Sequence, residues 1–250
     1  MVGYYVNMPP NDFGKLRLAF FDIDGTLIRR DFDGTLSLKS RAFNYALGTA
    51  FGLTDIDYTK ILGRRLFRLT DRTILKRTLA KLGYEESDYY AREDALFEAV
   101  DEYFERNYRI EANTGYYPLP SVTTLLDCMR ASGIRLGLVT GNIKKHSLWK
   151  MQTAGFDGYF TTGGFGDDAE QRADILGIAL QRNSDIATEC ICHFGDSPPD
   201  LEAARACGIK AVAISDLGGG THSRDELEAV GYGLIVDGWY DLESISQYLR

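Results

Sequence analysis

Short apolar runs that end in Gly, Asp or Thr recur along the chain and predict buried β-strands. Most of these runs are apolar at every position rather than at alternate positions, which is typical of parallel strands covered on both faces of a sheet. The predicted strands span residues 16–22, 134–140, 159–162, 190–194, 210–214 and, more weakly, 234–236.

Helical periodicity separates these runs in the second half of the chain. Apolar side chains recur there at spacings of three and four residues, between one predicted strand and the next. The clearest stripes are Val122, Leu125, Leu126 and Met129, then Ile175, Ile178 and Ala179, then Leu201 and Ala204. The alternation of strand and helix from Pro118 onward predicts an α/β fold with a doubly wound parallel sheet and a Rossmann-like core.

Residues 29–117 interrupt this alternation. They contain no convincing buried strand, but they carry two helical stripes: Leu75, Leu79 and Leu82, then Leu96, Ala99, Val100 and Tyr103. We therefore expect an inserted α-helical domain at residues 31–117, with residues 1–30 and 118–250 forming the α/β core.

Composition narrows the class of partner and the compartment. The net charge is −8 and the pI is about 5.0, which disfavours nucleic acid as a partner because phosphate backbones need a basic face. None of the four cysteines forms a C-x-x-C pair, so we expect reduced thiols. The sequence shows no signal-peptide pattern and no membrane-length apolar run. We expect a soluble, cytoplasmic protein without a membrane partner.

The first predicted strand leads into the sequence FFDIDGTLI, residues 20–28. Asp22 and Asp24 follow the strand directly, at the sheet edge where open α/β folds bind their ligands. Two such carboxylates can share a cation, and Asp22 can also act as a nucleophile. The alternative is an ordinary D-G turn, with Gly25 bending the chain and Thr26 bracing it.

A second copy of this motif, DFDGTL at residues 31–36, follows closely and contains Asp31 and Asp33. It comes after two arginines and has no apolar strand to present it. We interpret it as an exposed turn that leads into the insertion.

Two later strand ends carry further polar groups. LVTGN places Thr140, Gly141 and Asn142 where a hydroxyl and free backbone N–H groups can hold a phosphate, although a helix cap is an equal alternative. FGDSPPD places Asp196 at a strand end and Asp200 at the start of the next helix.

Carboxylates gathered from neighbouring strand ends form the oxygen-rich site that Mg²⁺ prefers. Asp200 has an alternative role as an acidic residue that stabilises a helix N-terminus. Arg172 lies in the first turn of the preceding predicted helix, where a lone arginine is usually a solvated surface group.

Taken in order, these motifs resemble those of the haloacid dehalogenase superfamily of phosphohydrolases. The insertion resembles the helical cap of its subgroup of phosphoglycolate phosphatases and β-phosphoglucomutases, above all at LTDRTILKRTLAKLG, residues 69–83. The one departure is Arg172 where many members have lysine.

The resemblance implies a Mg²⁺-dependent phosphatase that acts on a small phosphorylated metabolite through an aspartyl-phosphate. Asp22 would be the nucleophile and Asp24 the general acid and base. The groups expected to bind the phosphate are Thr140, Gly141, Asn142 and Arg172, and the metal ligands are Asp22, Asp24 (through its backbone carbonyl), Asp196 and, in support, Asp200. Dehalogenases of the superfamily lack an acid at the position of Asp24, so its presence favours phosphate chemistry.

Substrate choice would then come from polar residues of the cap, for which Arg64, Asp71 and Arg72 are the candidates. The alternative for each is a charge on a solvated helix face. Two other functions stay open: a β-phosphoglucomutase-like phosphosugar mutase, and a non-catalytic protein that binds a phosphorylated ligand.

Overall fold

A computed structural model describes residues 13–30, 37–63, 69–107 and 116–250. The strands, numbered along the chain, are β1 (Leu18–Phe21), β2 (Ile28–Arg30), β3 (Tyr116–Pro118), β4 (Arg135–Val139), β5 (Thr162–Gly164), β6 (Ile191–Gly195), β7 (Lys210–Ile214) and β8 (Leu234–Val236). The helices are α1 (Leu38–Phe51), α2 (Tyr58–Leu62), α3 (Asp71–Lys81), α4 (Glu86–Tyr90), α5 (Glu93–Asn107), α6 (Val122–Ala131), α7 (Lys144–Thr153), α8 (Arg172–Gln181), α9 (Pro198–Ala206), α10 (Arg224–Glu228) and α11 (Leu242–Leu249).

Six strands form one parallel sheet in the order β5-β4-β1-β6-β7-β8. Helices connect most of these strands and cover both faces, so the predicted α/β class with a doubly wound parallel sheet is confirmed. None of the described helices is both long and apolar enough to cross a lipid bilayer.

The central strand β1 shows why continuous apolar runs predicted this sheet. Ala19 and Phe21 pack into one core cluster, whereas Leu18 and Phe20 pack into a second cluster on the opposite face. All four side chains are fully buried. A strand covered on both faces needs apolar side chains at every position.

The third predicted strand was misplaced. It was expected at residues 159–162, but β5 is Thr162–Gly164. A Cβ on Gly163 would lie 2.3 Å from the Leu138 carbonyl oxygen, and a Cβ on Gly164 would lie 2.3 Å from that of Ile175. Two of the three residues of this edge strand are glycines because the neighbouring backbone is so close, and glycine carries no apolar signal.

The helices α1–α5, here called the helical segment, lie between two strands that the sequence did not predict. β2 and β3 pair antiparallel, with Ile28 opposite Pro118. Each strand has three residues of which one is buried, which is too short for a periodic signal. The chain therefore leaves and re-enters the sheet region at one place, close to the expected boundaries at 30/31 and 117/118. The division into two domains stays a prediction.

The register of the central strands determines where the motifs meet. Phe21, the last residue of β1, lies beside Leu138 of β4 and Phe194 of β6. The residues that follow these three strands therefore emerge at the same edge of the sheet. They include all three of the predicted motifs at strand ends.

Trp239 supports the turn that follows β1 from a distant part of the sequence. Its side chain is fully buried, and its Nε1–H donates to the backbone carbonyl of Thr26 over 2.7 Å. Its ring packs edge-on against Phe194, with 5.9 Å between the ring centroids.

Replacing Trp239 by phenylalanine should lower the free energy of unfolding by about 2–4 kcal/mol, because it leaves a cavity and an unpaired buried carbonyl. Urea unfolding measures this change. The neighbouring Tyr240 is 67% exposed and is the control. Tyr240→Phe should change stability by less than about 0.5 kcal/mol. Equal effects of the two substitutions would contradict a supporting role for Trp239.

Candidate active site

A cavity of about 300 Å³ lies between the carboxyl edge of the sheet and the helical segment. Seven residues of the predicted catalytic, phosphate and metal sets line it: Asp22, Asp24, Thr140, Gly141, Asn142, Arg172 and Asp196. Their sequence separation is large, so the fold has brought the separate motifs to one place.

Three carboxylates form an acidic cluster at one end of this cavity. Asp22, Asp196 and Asp200 are buried, and each offers an oxygen within 4.8 Å of the others. Arg172 lies against them: its Nη1 is 3.0 Å from Asp22 Oδ1 and 3.1 Å from Asp200 Oδ1. Its side chain is only 11% exposed, so the alternative of a solvated surface arginine is wrong.

The charges in this cluster are incompletely balanced. Burial raises the pKa of Asp22, although Arg172 opposes the shift. Burial, together with the carboxylates of Asp200 and Asp22, raises the pKa of Asp196 to about 8. Burial acts on Asp200 in the same direction, but the Arg172 guanidinium together with His193 and Ser197 outweighs it and holds the pKa of Asp200 below its usual range. The cluster therefore lacks positive charge.

The acidic cluster fits a divalent cation. Asp22 Oδ1 is buried and lies 3.0 Å from Arg172 Nη1, and no other hydrogen bond to it is made by the described protein atoms, so it can still serve as a ligand. Carboxylate oxygens are the ligands that Mg²⁺ prefers, and a cation would supply the missing positive charge.

Asp196 and Asp200 differ in how their oxygens are used. Asp196 Oδ1 accepts a hydrogen bond from Thr26, and its Oδ2 accepts two from the backbone N–H and hydroxyl of Thr221. Asp200 Oδ2 closes a capping box with Ser197 at the start of α9. The helix-terminus role of Asp200 is therefore correct, and its place beside Arg172 suits a supporting role in the cluster.

Gly25 allows the turn after β1 to approach this cluster. Its φ is +81°, and a Cβ there would lie 2.4 Å from Asp196 Oδ2. Any side chain at this position would push into the predicted metal ligand.

Asp24 points into the cavity and is held by two side chains. Lys150 Nζ donates to both carboxylate oxygens, over 2.7 and 2.6 Å, and Asn142 Nδ2 donates to Oδ2 over 2.8 Å. Loss of solvent within the cavity would raise the pKa of Asp24, but Lys150, Lys39 and Asn142 together outweigh this effect and lower that pKa.

The loop after β4 leaves Thr140 inside the cavity. Its Oγ1 accepts hydrogen bonds from the backbone N–H and the side-chain amide of Asn142, over 3.3 and 2.9 Å. The N-cap of α7 is Ile143 rather than Thr140. The helix-cap alternative for Thr140 is therefore wrong.

Comparison with known proteins decides the family. A sequence model of the haloacid dehalogenase-like hydrolases matches residues 16–208, which is most of the chain. The chain belongs to this family. It is therefore an enzyme of the hydrolase class, as the motifs predicted.

Phosphoglycolate phosphatases are similar to this hydrolase in sequence. That of Shigella dysenteriae serotype 1 is 28% identical over 218 residues, which cover 82% of this chain and 83% of the relative. That of Escherichia coli K12 is 27% identical over 216 residues, with 82% and 83% covered.

Solved structures share the fold of this hydrolase. CbbY from Rhodobacter sphaeroides in complex with phosphate matches with a TM-score of 0.62 and 22% identity, over 91% of this chain and 96% of CbbY. A putative β-phosphoglucomutase from Thermotoga maritima matches with a TM-score of 0.55 and 19% identity, over 93% and 99%.

The helical segment of this hydrolase contributes several cavity residues that the sequence did not single out, among them Lys39. From the sheet side, Lys150, His146 and Thr221 were also missed. A sequence signal exists for one of them, because Thr221 follows three consecutive glycines after β7.

The three predicted cap residues have different outcomes. Arg64, like Asp31 and Asp33 of the second motif copy, lies outside the described residues. Asp71 lines the cavity, but its carboxylate already accepts hydrogen bonds from Lys39 Nζ and the Ile143 backbone N–H, each over 3.0 Å. It joins the helical segment to the loop after β4.

The side chain of Arg72 is not among the described residues that line the cavity. Its Nη2 donates to the backbone carbonyl of Asp167 over 2.7 Å, and its Nη1 lies 3.3 Å from Glu93 Oε1. The guanidinium also stacks over Phe97, 5.5 Å from the ring centroid. This geometry does not place Arg72 against a substrate, since its Nη1 and Nη2 atoms already connect α3 to α5 and to the sheet region.

Removing these contacts with Arg72→Ala should lower the free energy of unfolding by about 1–3 kcal/mol. Activity toward large and minimal substrates should then fall in parallel. Urea unfolding and paired kinetic assays measure both effects. Arg77→Ala, at an exposed position of the same helix, is the matched control. If Arg72→Ala left the stability unchanged but lowered activity toward only one of the substrates, Arg72 would instead be a substrate-binding residue.

Proposed function

We propose that this protein is a Mg²⁺-dependent phosphatase that hydrolyses a small phosphorylated metabolite through an aspartyl-phosphate on Asp22. The observation that carries the proposal is the state of Asp22 Oδ1. This oxygen is buried at the end of β1, accepts no hydrogen bond from the described residues, and lies 3.0 Å from the Arg172 guanidinium. A desolvated carboxylate beside a fixed cation is suited to attack a phosphoryl group.

In the first step, an Asp22 oxygen forms a bond to phosphorus while the ester P–O bond breaks. Asp24, which must first take up a proton although Lys150 favours its ionised form, donates that proton to the departing oxygen. Arg172 with the Thr140 hydroxyl and the 141–142 amides holds the phosphoryl oxygens. Asp22, Asp196 and the Asp24 backbone carbonyl, with Asp200 in support, would hold Mg²⁺, which would supply further positive charge to the phosphoryl group.

In the second step, Asp24 takes a proton from water, which attacks phosphorus and breaks the bond to Asp22. Inorganic phosphate leaves and the Asp22 carboxylate is restored. Asp24 lies on the cavity side of the turn with 48% of its side chain exposed, where both the departing oxygen and the water can reach it.

Two observations favour a small anionic ester as substrate. The cavity is about 300 Å³, and Arg30, Lys39 and Lys150 line it together with the acidic cluster. The sequence relatives are named phosphoglycolate phosphatases, so 2-phosphoglycolate is the first compound to test. A phosphosugar mutase would share the first step but return the phosphoryl group to a sugar, so release of inorganic phosphate distinguishes the two activities. A non-catalytic binding role is disfavoured because both Asp22 and Asp24 are present.

The cytoplasm is the compartment we propose for this activity. All four cysteines are free thiols in the structure, which suits a reducing compartment.

Asp22→Asn should abolish turnover without unfolding the protein, because the amide has a similar shape but is a poor nucleophile. We expect kcat to fall by more than about a hundredfold, equivalent to ~2.7 kcal/mol of barrier. Phosphate release from 2-phosphoglycolate and p-nitrophenyl phosphate measures it. Asp33→Asn, in the second motif copy, is the control and should change little. Comparable loss in both variants would overturn the assignment of Asp22.

Chelation of Mg²⁺ should abolish activity, and Ca²⁺ should restore it poorly. Ca²⁺ accepts more oxygens at longer distances, so it would bind both oxygens of the Asp22 carboxylate. Neither oxygen would then be free to attack the phosphoryl group. Calorimetric titration of Mg²⁺ into the wild type and into Asp196→Asn checks the site independently of turnover. Full activity in excess chelator, or undiminished Mg²⁺ binding by Asp196→Asn, would contradict the metal site.

A further inference from the structure

Lys150 is a buried lysine whose amine is directed entirely at the active site. Its side chain is 3% exposed, and Nζ donates to both oxygens of Asp24 and to Asn142 Oδ1, the last over 3.2 Å. The ammonium also lies over the ring of Tyr116, 5.3 Å from the centroid. A buried ammonium is costly unless it is fully paired. The hydrogen bonds to Asp24 and Asn142 therefore explain why the lysine side chain can be buried here.

The position of Lys150 on α7 explains why it reaches Asp24. The helix starts just after the phosphate-binding loop that contains Asn142, and one of its faces lines the cavity through His146 and Lys150, which are one turn apart. His146 is fully buried and stacks on Phe104 with 4.7 Å between ring centroids. The rigid helix therefore fixes the start of the lysine side chain.

Asp24 needs such support because nothing else in the described structure holds both of its oxygens. Its side chain is 48% exposed, and Asn142 donates to Oδ2 alone. A half-exposed carboxylate with one partner can rotate about its side-chain bonds. Catalysis by a general base requires the carboxylate to stay within hydrogen-bond reach of its proton donor.

We propose that Lys150 is a positioning residue that holds the Asp24 carboxylate in the orientation from which it takes a proton from the attacking water. This inference rests on the proposed phosphatase function. Lys150 touches neither the phosphoryl group nor the water in this role, and it acts only through Asp24. With a substrate whose leaving group departs without a proton, its loss should therefore slow hydrolysis of the aspartyl-phosphate more than formation of it.

The test uses 2,4-dinitrophenyl phosphate, whose leaving group departs without a proton. In Lys150→Met, single-turnover release of dinitrophenolate with enzyme in excess should stay within about threefold of the wild type, whereas steady-state turnover should fall by about a hundredfold. With substrate in excess, the variant should release one dinitrophenolate per site in a burst and then continue slowly. Methionine matches the length of lysine and has no charge.

Three further variants separate positioning from a structural role. Lys145→Met, on the same helix but 37% exposed and paired with Glu105, should keep both rates. Lys150→Arg should recover part of the steady-state rate, because a guanidinium can still donate to two oxygens. Asp24→Asn combined with Lys150→Met should be no slower than Asp24→Asn alone, since Lys150 acts through Asp24.

Equal losses in the single-turnover and steady-state rates of Lys150→Met would overturn the inference, as would additive losses in the double variant. Normal steady-state turnover of Lys150→Met would overturn it too. If thermal unfolding shows that Lys150→Met is not folded, the same comparison of rates in Lys150→Gln decides the question. If the wild type releases phosphate from none of the esters tested, the proposed phosphatase function is refuted. If the wild type is active and Lys150→Met is equally active, only the inference about Lys150 is refuted.

Discussion

Arg172 is the cation on which the geometry of the site depends. Three carboxylates lie buried within 4.8 Å of one another, and such a group repels itself strongly when it is removed from water. The guanidinium contacts two of them, Asp22 and Asp200, from the first turn of α8. Its planar shape allows one side chain to touch both carboxylates at once, which a lysine amine on a flexible stem does less rigidly. The strand ends can therefore converge with less repulsion among the three acids than they would have without Arg172.

The sequence was most informative where burial leaves a strong local pattern. Leu18–Phe21 could be assigned to a central parallel strand because each of its side chains packs into a core. The acidic positions after β1 and β6 followed from the same assignment, since parallel strands end at one edge. The glycine strand β5 escaped detection because close backbone contact selects glycine, and the resulting sequence looks like a turn.

Contacts between elements that are distant in the sequence could not be predicted from the sequence. Lys150 is an unremarkable lysine until α7 places it against Asp24, and Asp71 is an ordinary helix N-terminal acid until α3 meets the loop after β4. Arg72 illustrates the reverse case. Its position in the sequence suggested a substrate contact, but its guanidinium instead contacts the Glu93 carboxylate and the Asp167 backbone carbonyl. Periodicity reports which face of a helix is buried, but the identity of the neighbour depends on how separate elements pack.

The hydrogen bond from Trp239 to Thr26 has a consequence for how the protein matures during synthesis. The two residues are 213 positions apart, so the turn that carries Asp24 and Gly25 leaves the ribosome long before its support is made. Likewise, β1 can pair on its two sides only after β4 and β6, both far downstream in the sequence, have been synthesised. The turn after β1 is thus completed by a residue that is translated 213 positions later, and a nascent chain that stops short of Trp239 carries the predicted catalytic side chains without the support for that turn.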